Sequence, residues 1–222
     1  KKGAVLVFTT DALAKKLDFL QYDFGIDNET LKRMILKKDH YHTLLASSPE
    51  GINMRLTHYK DRFDLVEEDL IRLVKNSCVN ANALGISPEI MESKFAWLQN
   101  RLHLTDKQIA KLLIKGTQLL CLDINKTLEP NAQWLENRFG LSGGELGKMV
   151  MRAPQLLTLN GKENIEPKLV YLQEALKFSD QKLAAYVCKQ PLVLSLGLDN
   201  LRKKVQFYNE ILGEREARMM LQ

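Results

Sequence analysis

Residues 128–159 read LEPNAQWLENRFGLSGGELGKMVMRAPQLLTL. Apolar residues at helical spacing lead to a Gly-Leu-Ser turn. A second apolar-periodic run follows and stops at Pro-Gln-Leu-Leu. The same design stands on both sides without gaps: residues 91–122 read MESKFAWLQNRLHLTDKQIAKLLIKGTQLLCL, and residues 165–196 read IEPKLVYLQEALKFSDQKLAAYVCKQPLVLSL. A unit repeated at this length buries its apolar face only by stacking on its neighbours, which predicts a helical solenoid.

Two rulers extend the pattern along the chain. The apolar residue closing the first helix is Phe24, Phe63, Leu102, Phe139, Leu176 and Leu212, at intervals of 39, 39, 37, 37 and 36 residues. Seven residues after each stands Leu31, Leu70, Ile109, Leu146, Leu183 and Met219, the start of the second helix's apolar stripe. The chain therefore reads as an N-terminal arm over 1–12 and one all-α solenoid over 13–222. Its repeats are 13–51, 52–90, 91–127, 128–164 and 165–200, with a partial one at 201–222. Val5–Phe8 reads either as an extended arm or as a piece of a preceding helix.

The punctuation fits helices. Asp27, Thr105, Ser142 and Ser179 stand where a side-chain oxygen can cap the second helix. Thr105 with Gln108, and Ser142 with Glu145, form capping-box patterns. Pro130 and Pro167 sit at the start of a first helix, where a missing N–H costs nothing. Pro154 and Pro191 end a second helix and begin a short third apolar element, giving three helical pieces per unit. Asp39, Cys78 and Thr117 hold that place in the earlier repeats, which lack the proline break. Trp97, Trp134, Tyr171 and Phe207 form an aromatic column, predicted to pack repeat against repeat rather than to stack bases.

The unit [ILM]-x-P-x-x-x-[WY]-L, a Gly-Leu-Ser-like turn and a helix ending in P-x-L-L resembles the mitochondrial transcription termination factor (mTERF) family. Leu128, Pro130, Trp134, Leu135, Gly140, Leu141, Ser142, Pro154, Leu156 and Leu157 carry the match. Ile165, Pro167, Tyr171, Leu172, Phe178, Ser179, Pro191 and Leu194 repeat it. The resemblance implies a superhelical solenoid of three-helix units. It further implies a role in mitochondria or chloroplasts and binding of nucleic acid in transcription, RNA processing or ribosome assembly.

The charge pattern bears on that expectation. The net charge is +5, and the ten arginines are outnumbered by 22 lysines. Planar base and phosphate clamps favour arginine, so backbone contact by lysine, with RNA or ribosomal RNA ahead of double-stranded DNA, is the preferred reading. Two positions after the second ruler lie Arg33, Arg72, Lys111 and Lys148; six after it lie Lys37, Lys115, Arg152 and Lys189. Residues four apart share a helix face, so the two columns predict a ladder of phosphate contacts. The competing reading of Lys37, Lys115, Arg152 and Lys189 is structural, because cations complement the carbonyl end of a helix. A third column, Arg62, Arg101 and Arg138, precedes a core residue and is placed to pair with acids.

Other chemistry is missing from the pattern. Gly140–Lys148, GLSGGELGK, fails the spacing of a phosphate loop and falls where every unit turns. His40, His42, His58 and His103 lack metal-ligand spacing, no nucleophile–base arrangement stands out, and no cofactor is implied. The odd, scattered Cys78, Cys121 and Cys188 read as free buried thiols. No apolar run approaches a membrane span. The basicity is thin and even along the chain, which leaves a second reading: a structural adaptor held by protein subunits in an organellar assembly such as a mitochondrial ribosome.

Overall fold

The computed structural model describes residues 9–36, 44, 45, 47–79, 83–115 and 118–221. Val5–Phe8, Lys37, Asp39, His40, His42 and Thr117 lie outside them. Among the described residues there are twelve α-helices and no strand. The chain divides into two compact units, Lys1–Leu122 and Asp123–Gln222.

The first unit contains α1 (Thr10–Phe24), α2 (Asn28–Leu36), α3 (Pro49–Phe63), α4 (Glu67–Val79), α5 (Pro88–Leu102) and α6 (Asp106–Ile114). They alternate as first and second helices of three repeats. Short 3₁₀ segments at Ala83–Gly85 and Gln118–Cys121 supply the third element of two of them, although neither follows a proline. Leu84, Leu119 and Leu120 are buried there, so apolar anchoring suffices to form the element. The second helices pack in sequence, α2 on α4 and α4 on α6. Tyr59 and Phe95 are fully buried, and the Phe63 and Phe95 rings meet edge-on at 5.0 Å across two repeats.

The second unit contains α7 (Glu129–Phe139), α8 (Gly143–Arg152), α9 (Glu166–Leu176), α10 (Asp180–Lys189), α11 (Leu198–Leu212) and α12 (Glu214–Leu221). Pro154 and Pro191 open 3₁₀ segments at Pro154–Thr158 and Pro191–Ser195, as their missing N–H and restricted φ require. Wide π-type turns, Ile124–Leu128 and Gly161–Ile165, lead into α7 and α9; the side chains of Asp123 and Asn160 cap them. Trp134 lies against Gly161, where an added Cβ would collide with the indole. At this point the aromatic column packs against the end of its own repeat, at the turn that leads into α9, rather than across to the next repeat as expected. Phe207 departs from that expectation and is exposed.

One backbone device recurs in every repeat. The residue after the first ruler has positive φ: Gly25, Asp64, His103, Gly140, Lys177 and Gly213. In the first five it is the left-handed cap that ends a helix by satisfying its last carbonyls. The next residue, Ile26, Leu65, Leu104 or Phe178, buries its side chain and returns its N–H to the helix just ended. The second helix then starts from its predicted cap. Asp27 accepts from the Thr30 amide at 2.8 Å and Ser179 from the Lys182 amide at 3.3 Å. Thr105 with Gln108, and Ser142 with Glu145, form complete capping boxes.

Candidate nucleic-acid interface

The predicted basic columns fall on the second helices. In the first unit Arg33 (α2), Arg72 (α4) and Lys111 (α6) hold the same position on successive packed helices, and all are exposed. Their electrostatic surroundings differ. The Arg33 guanidinium turns back on its own helix, donating to Thr30 Oγ1 at 3.1 Å and to the Glu29 carbonyl at 3.4 Å. Arg72 is 67% exposed and stands 3.7 Å from Asp69 one turn earlier. The helix α6 has Gln108 in place of that acid. Lys111 and Lys115 are exposed on α6 and at its C-cap, and Lys107, which belongs to neither predicted column, extends the row by one turn. None of the three has an ion-pair partner among the described residues. The neighbouring Asp106 is occupied, at 3.1 Å from Arg62 and 2.6 Å from Gln99.

Spacing of i, i+4, i+8 gives a straight row with about 6 Å between successive lysines along the axis. Like charges at this spacing cost the helix a few tenths of a kcal/mol per pair. The carbonyl end of α6 offsets that cost at Lys111 and Lys115, and an anionic ligand would offset it along the whole row.

In the second unit Lys148 is exposed on α8, one turn after Glu145. The carboxylate of Glu145 is held below its usual range, first by the Ser142 amide and hydroxyl and more weakly by Lys148. The equivalent position of α10 is Ala185. Arg152 closes α8 and donates to the carbonyls of Cys188 and Lys189, at 3.3 and 3.4 Å, at the end of α10. Its position in the first unit belongs to Asn76, which donates to the Ile114 carbonyl of α6 at 2.7 Å. Arg152 was expected on the ligand surface; its contacts are those of a tie between repeats, satisfying carbonyls that a helix end leaves open. Lys189 is exposed at the end of α10, and Lys37 is outside the described residues.

Two members of the arginine column, Arg62 and Arg138, tie repeats together. Arg62 lies 3.5 Å from Glu92 on α5 and 3.1 Å from Asp106 on α6; Arg138 lies 3.0 Å from Glu166 on α9. Both guanidinium groups also lie over the ring of the following phenylalanine.

A further column escaped sequence reasoning. Eight residues before the first ruler stand Lys16, Arg55, Lys94, Asn131 and Lys168. Four of them donate to a carbonyl at or beside the third element of their own repeat. Lys16 reaches Leu45, Lys94 reaches Leu122, Asn131 reaches Leu157 at 2.8 Å and Lys168 reaches Leu194 at 2.6 Å. Lys168 is only 7% exposed, and burial holds its ammonium below the usual lysine range. The signal was an alignment column of long polar side chains on an apolar face, and charge alone read as surface.

Among the described residues no group of histidine, cysteine and acid side chains could hold a metal ion. Cys78 is buried, its thiol pushed up to about 12 by desolvation, whereas Cys121 and Cys188 are half-buried rather than buried as expected. No described helix is long and apolar enough to cross a membrane.

These features define a class: an all-α helical-repeat protein whose second helices carry basic residues on exposed positions. The mTERF family model matches residues 12–215, nearly the whole chain, and the chain belongs to the mTERF family. With membership comes a nucleic-acid-binding role in organelle gene expression, in mitochondria or chloroplasts. No curated protein matches the chain.

Proposed function

We propose that this chain is a non-catalytic mTERF protein that grips the phosphate backbone of RNA, with the lysine row of α6 as its principal contact. The observation that carries the reading is the set Lys107, Lys111 and Lys115, exposed, on one face and without acid partners among the described residues. Lysine supplies compact point charges suited to phosphate rather than the planar fork used to read bases. Arg72 and Lys148 contribute less because Asp69 and Glu145 offset them.

The test compares affinities for a structured RNA, a single-stranded RNA and a duplex DNA at one salt concentration. Charge reversal by Lys107→Glu/Lys111→Glu/Lys115→Glu should weaken RNA binding by at least about tenfold, with the fold checked by circular dichroism. Retained affinity in the folded variant would overturn the assignment, and a preference for duplex DNA would overturn the RNA reading alone. The adaptor reading is favoured by a different feature, the exposed apolar side chains Phe207, Ile211 and Met219 of α11 and α12.

A further inference from the structure

Residues 158–164 read TLNGKEN, and Asn160–Gly161 is the one Asn-Gly pair in the sequence. Packing imposes the glycine: Gly161 is buried under the Trp134 indole, which an added Cβ would strike. Asn160 is exposed and caps the π-type turn Gly161–Ile165 that leads into α9. Its Oδ1 accepts from the Glu163 amide at 3.1 Å, and its own amide donates to Asn164 Oδ1 at 3.1 Å. Its carbonyl accepts from the Asn164 and Ile165 amides at 2.9 and 3.3 Å. In the preceding repeat Asp123 holds the same place and accepts from the Lys126 amide at 2.8 Å. The cap therefore needs only a side-chain oxygen, which asparagine and aspartate both supply.

We propose that Asn160–Gly161 is a site of spontaneous covalent modification, deamidation by water, and that opening of the capped turn sets its rate. No side chain on Gly161 shields its nitrogen or restricts its rotation. That nitrogen, deprotonated by hydroxide, attacks Cγ of Asn160. The N–Cγ bond forms, the Cγ–Nδ2 bond breaks, and ammonia leaves behind a cyclic imide. Water then opens the imide. Breaking the N–Cγ bond gives aspartate. Breaking the bond from the nitrogen to the Asn160 backbone carbonyl carbon gives isoaspartate, with the chain rerouted through the side chain. No group is oxidised or reduced. The native turn opposes the first step. Ring closure needs the Asn160 side chain and the Gly161 nitrogen on the same side of the Cα–C bond, and at a ψ of 123° they stand apart. Rotation about that bond swings the carbonyl away from the Asn164 and Ile165 amides, so closure waits on local opening. The two products differ in consequence. Aspartate keeps the cap, as Asp123 does, whereas isoaspartate adds a methylene to the backbone and shifts Gly161 from its place under Trp134.

This chemistry is independent of RNA binding, and its test contains no nucleic acid. The full chain is held in mildly alkaline buffer, natively and in urea. Trypsin then releases residues 153–162, and mass spectrometry follows their asparagine, aspartate and isoaspartate forms after chromatographic separation. Conversion at Asn160 should be at least about fivefold slower in the native chain than in urea. In urea it should outpace conversion at every other asparagine. Asn164→Ala removes an acceptor of the turn without touching the reacting pair. It should speed conversion in the folded chain and leave the rate in urea unchanged. Equal rates in the native chain and in urea, or a folded Asn164→Ala that converts at the native rate, would overturn the control by turn opening. Faster conversion at another asparagine in urea, or none at Asn160 there, would overturn the site itself. Asn160→Asp should unfold at the same urea concentration as the native chain, and the separated isoaspartate form at a lower one. Equal unfolding of those two forms would overturn the assigned difference between the products.

Discussion

At the scale of the residue, the repeat supplies its own control for the buried Lys168. Asn131 makes the equivalent bond in the preceding repeat without burying a charge. Lys168→Asn should therefore keep stability within about 1 kcal/mol, whereas Lys168→Leu leaves the Leu194 carbonyl unpaired and should cost about 1–3 kcal/mol. The pH dependence has a definite sign. Burial lowers the folded-state pKa of Lys168, so the unfolded chain holds its proton to higher pH than the folded chain does. The contribution of Lys168 to stability then rises with pH through the window below the ordinary lysine value of about 10.4. Urea unfolding across that window should show the rise in the native chain and lose it in Lys168→Asn. Arg152 gives a second case. Arg152→Ala should cost about 1 kcal/mol of stability and weaken RNA binding less than Lys111→Ala does, as unfolding and affinity measurements on both variants would show. Neither role was legible from charge. A cation six positions into a helix stripe reads alike whether it faces a phosphate or the carbonyls of the next helix, and only Asn76, a neutral residue in the same column, hints at the second.

At the scale of the element, helix starts and stops were the most legible part of the chain. Ser142 and Thr105 cap through local hydrogen bonds that three residues suffice to make, and Pro154 and Pro191 act through their own rings. The third elements without proline, Ala83–Gly85 and Gln118–Cys121, depend on where Leu84, Leu119 and Leu120 are buried, which is tertiary information. The π-type turn Gly161–Ile165 was hidden for a similar reason, since its Gly161 makes room for a tryptophan 27 positions earlier, Trp134. Gly161→Ala should force the indole aside and cost about 1–3 kcal/mol in thermal or urea unfolding, while Gly197→Ala, with open space at the Cβ, should avoid that collision.

At the scale of the whole molecule, the columns separate by partner. Arg62 and Arg138 bind carboxylates of the following repeat. Arg152 and Asn76 bind its carbonyls. Lys94, Asn131 and Lys168 brace their own repeat. The family and the repeat length were legible because they rest on spacing. The division of cations between bracing and binding was not, because it depends on which acids and carbonyls the fold brings near each one. Among the described residues the exposed row of α6 is left with no such partner, and its assignment to RNA phosphates is what most needs testing. The most direct measurement is the salt dependence of affinity for a structured RNA. The native chain is compared with Lys107→Ala/Lys111→Ala/Lys115→Ala. Each phosphate neutralised contributes roughly 0.7–0.9 to the slope of log K against log salt. The expected slope is shallower by about 2 to 3 in the triple variant. An unchanged slope in a folded variant would contradict the assignment and move the phosphate contacts elsewhere on the chain.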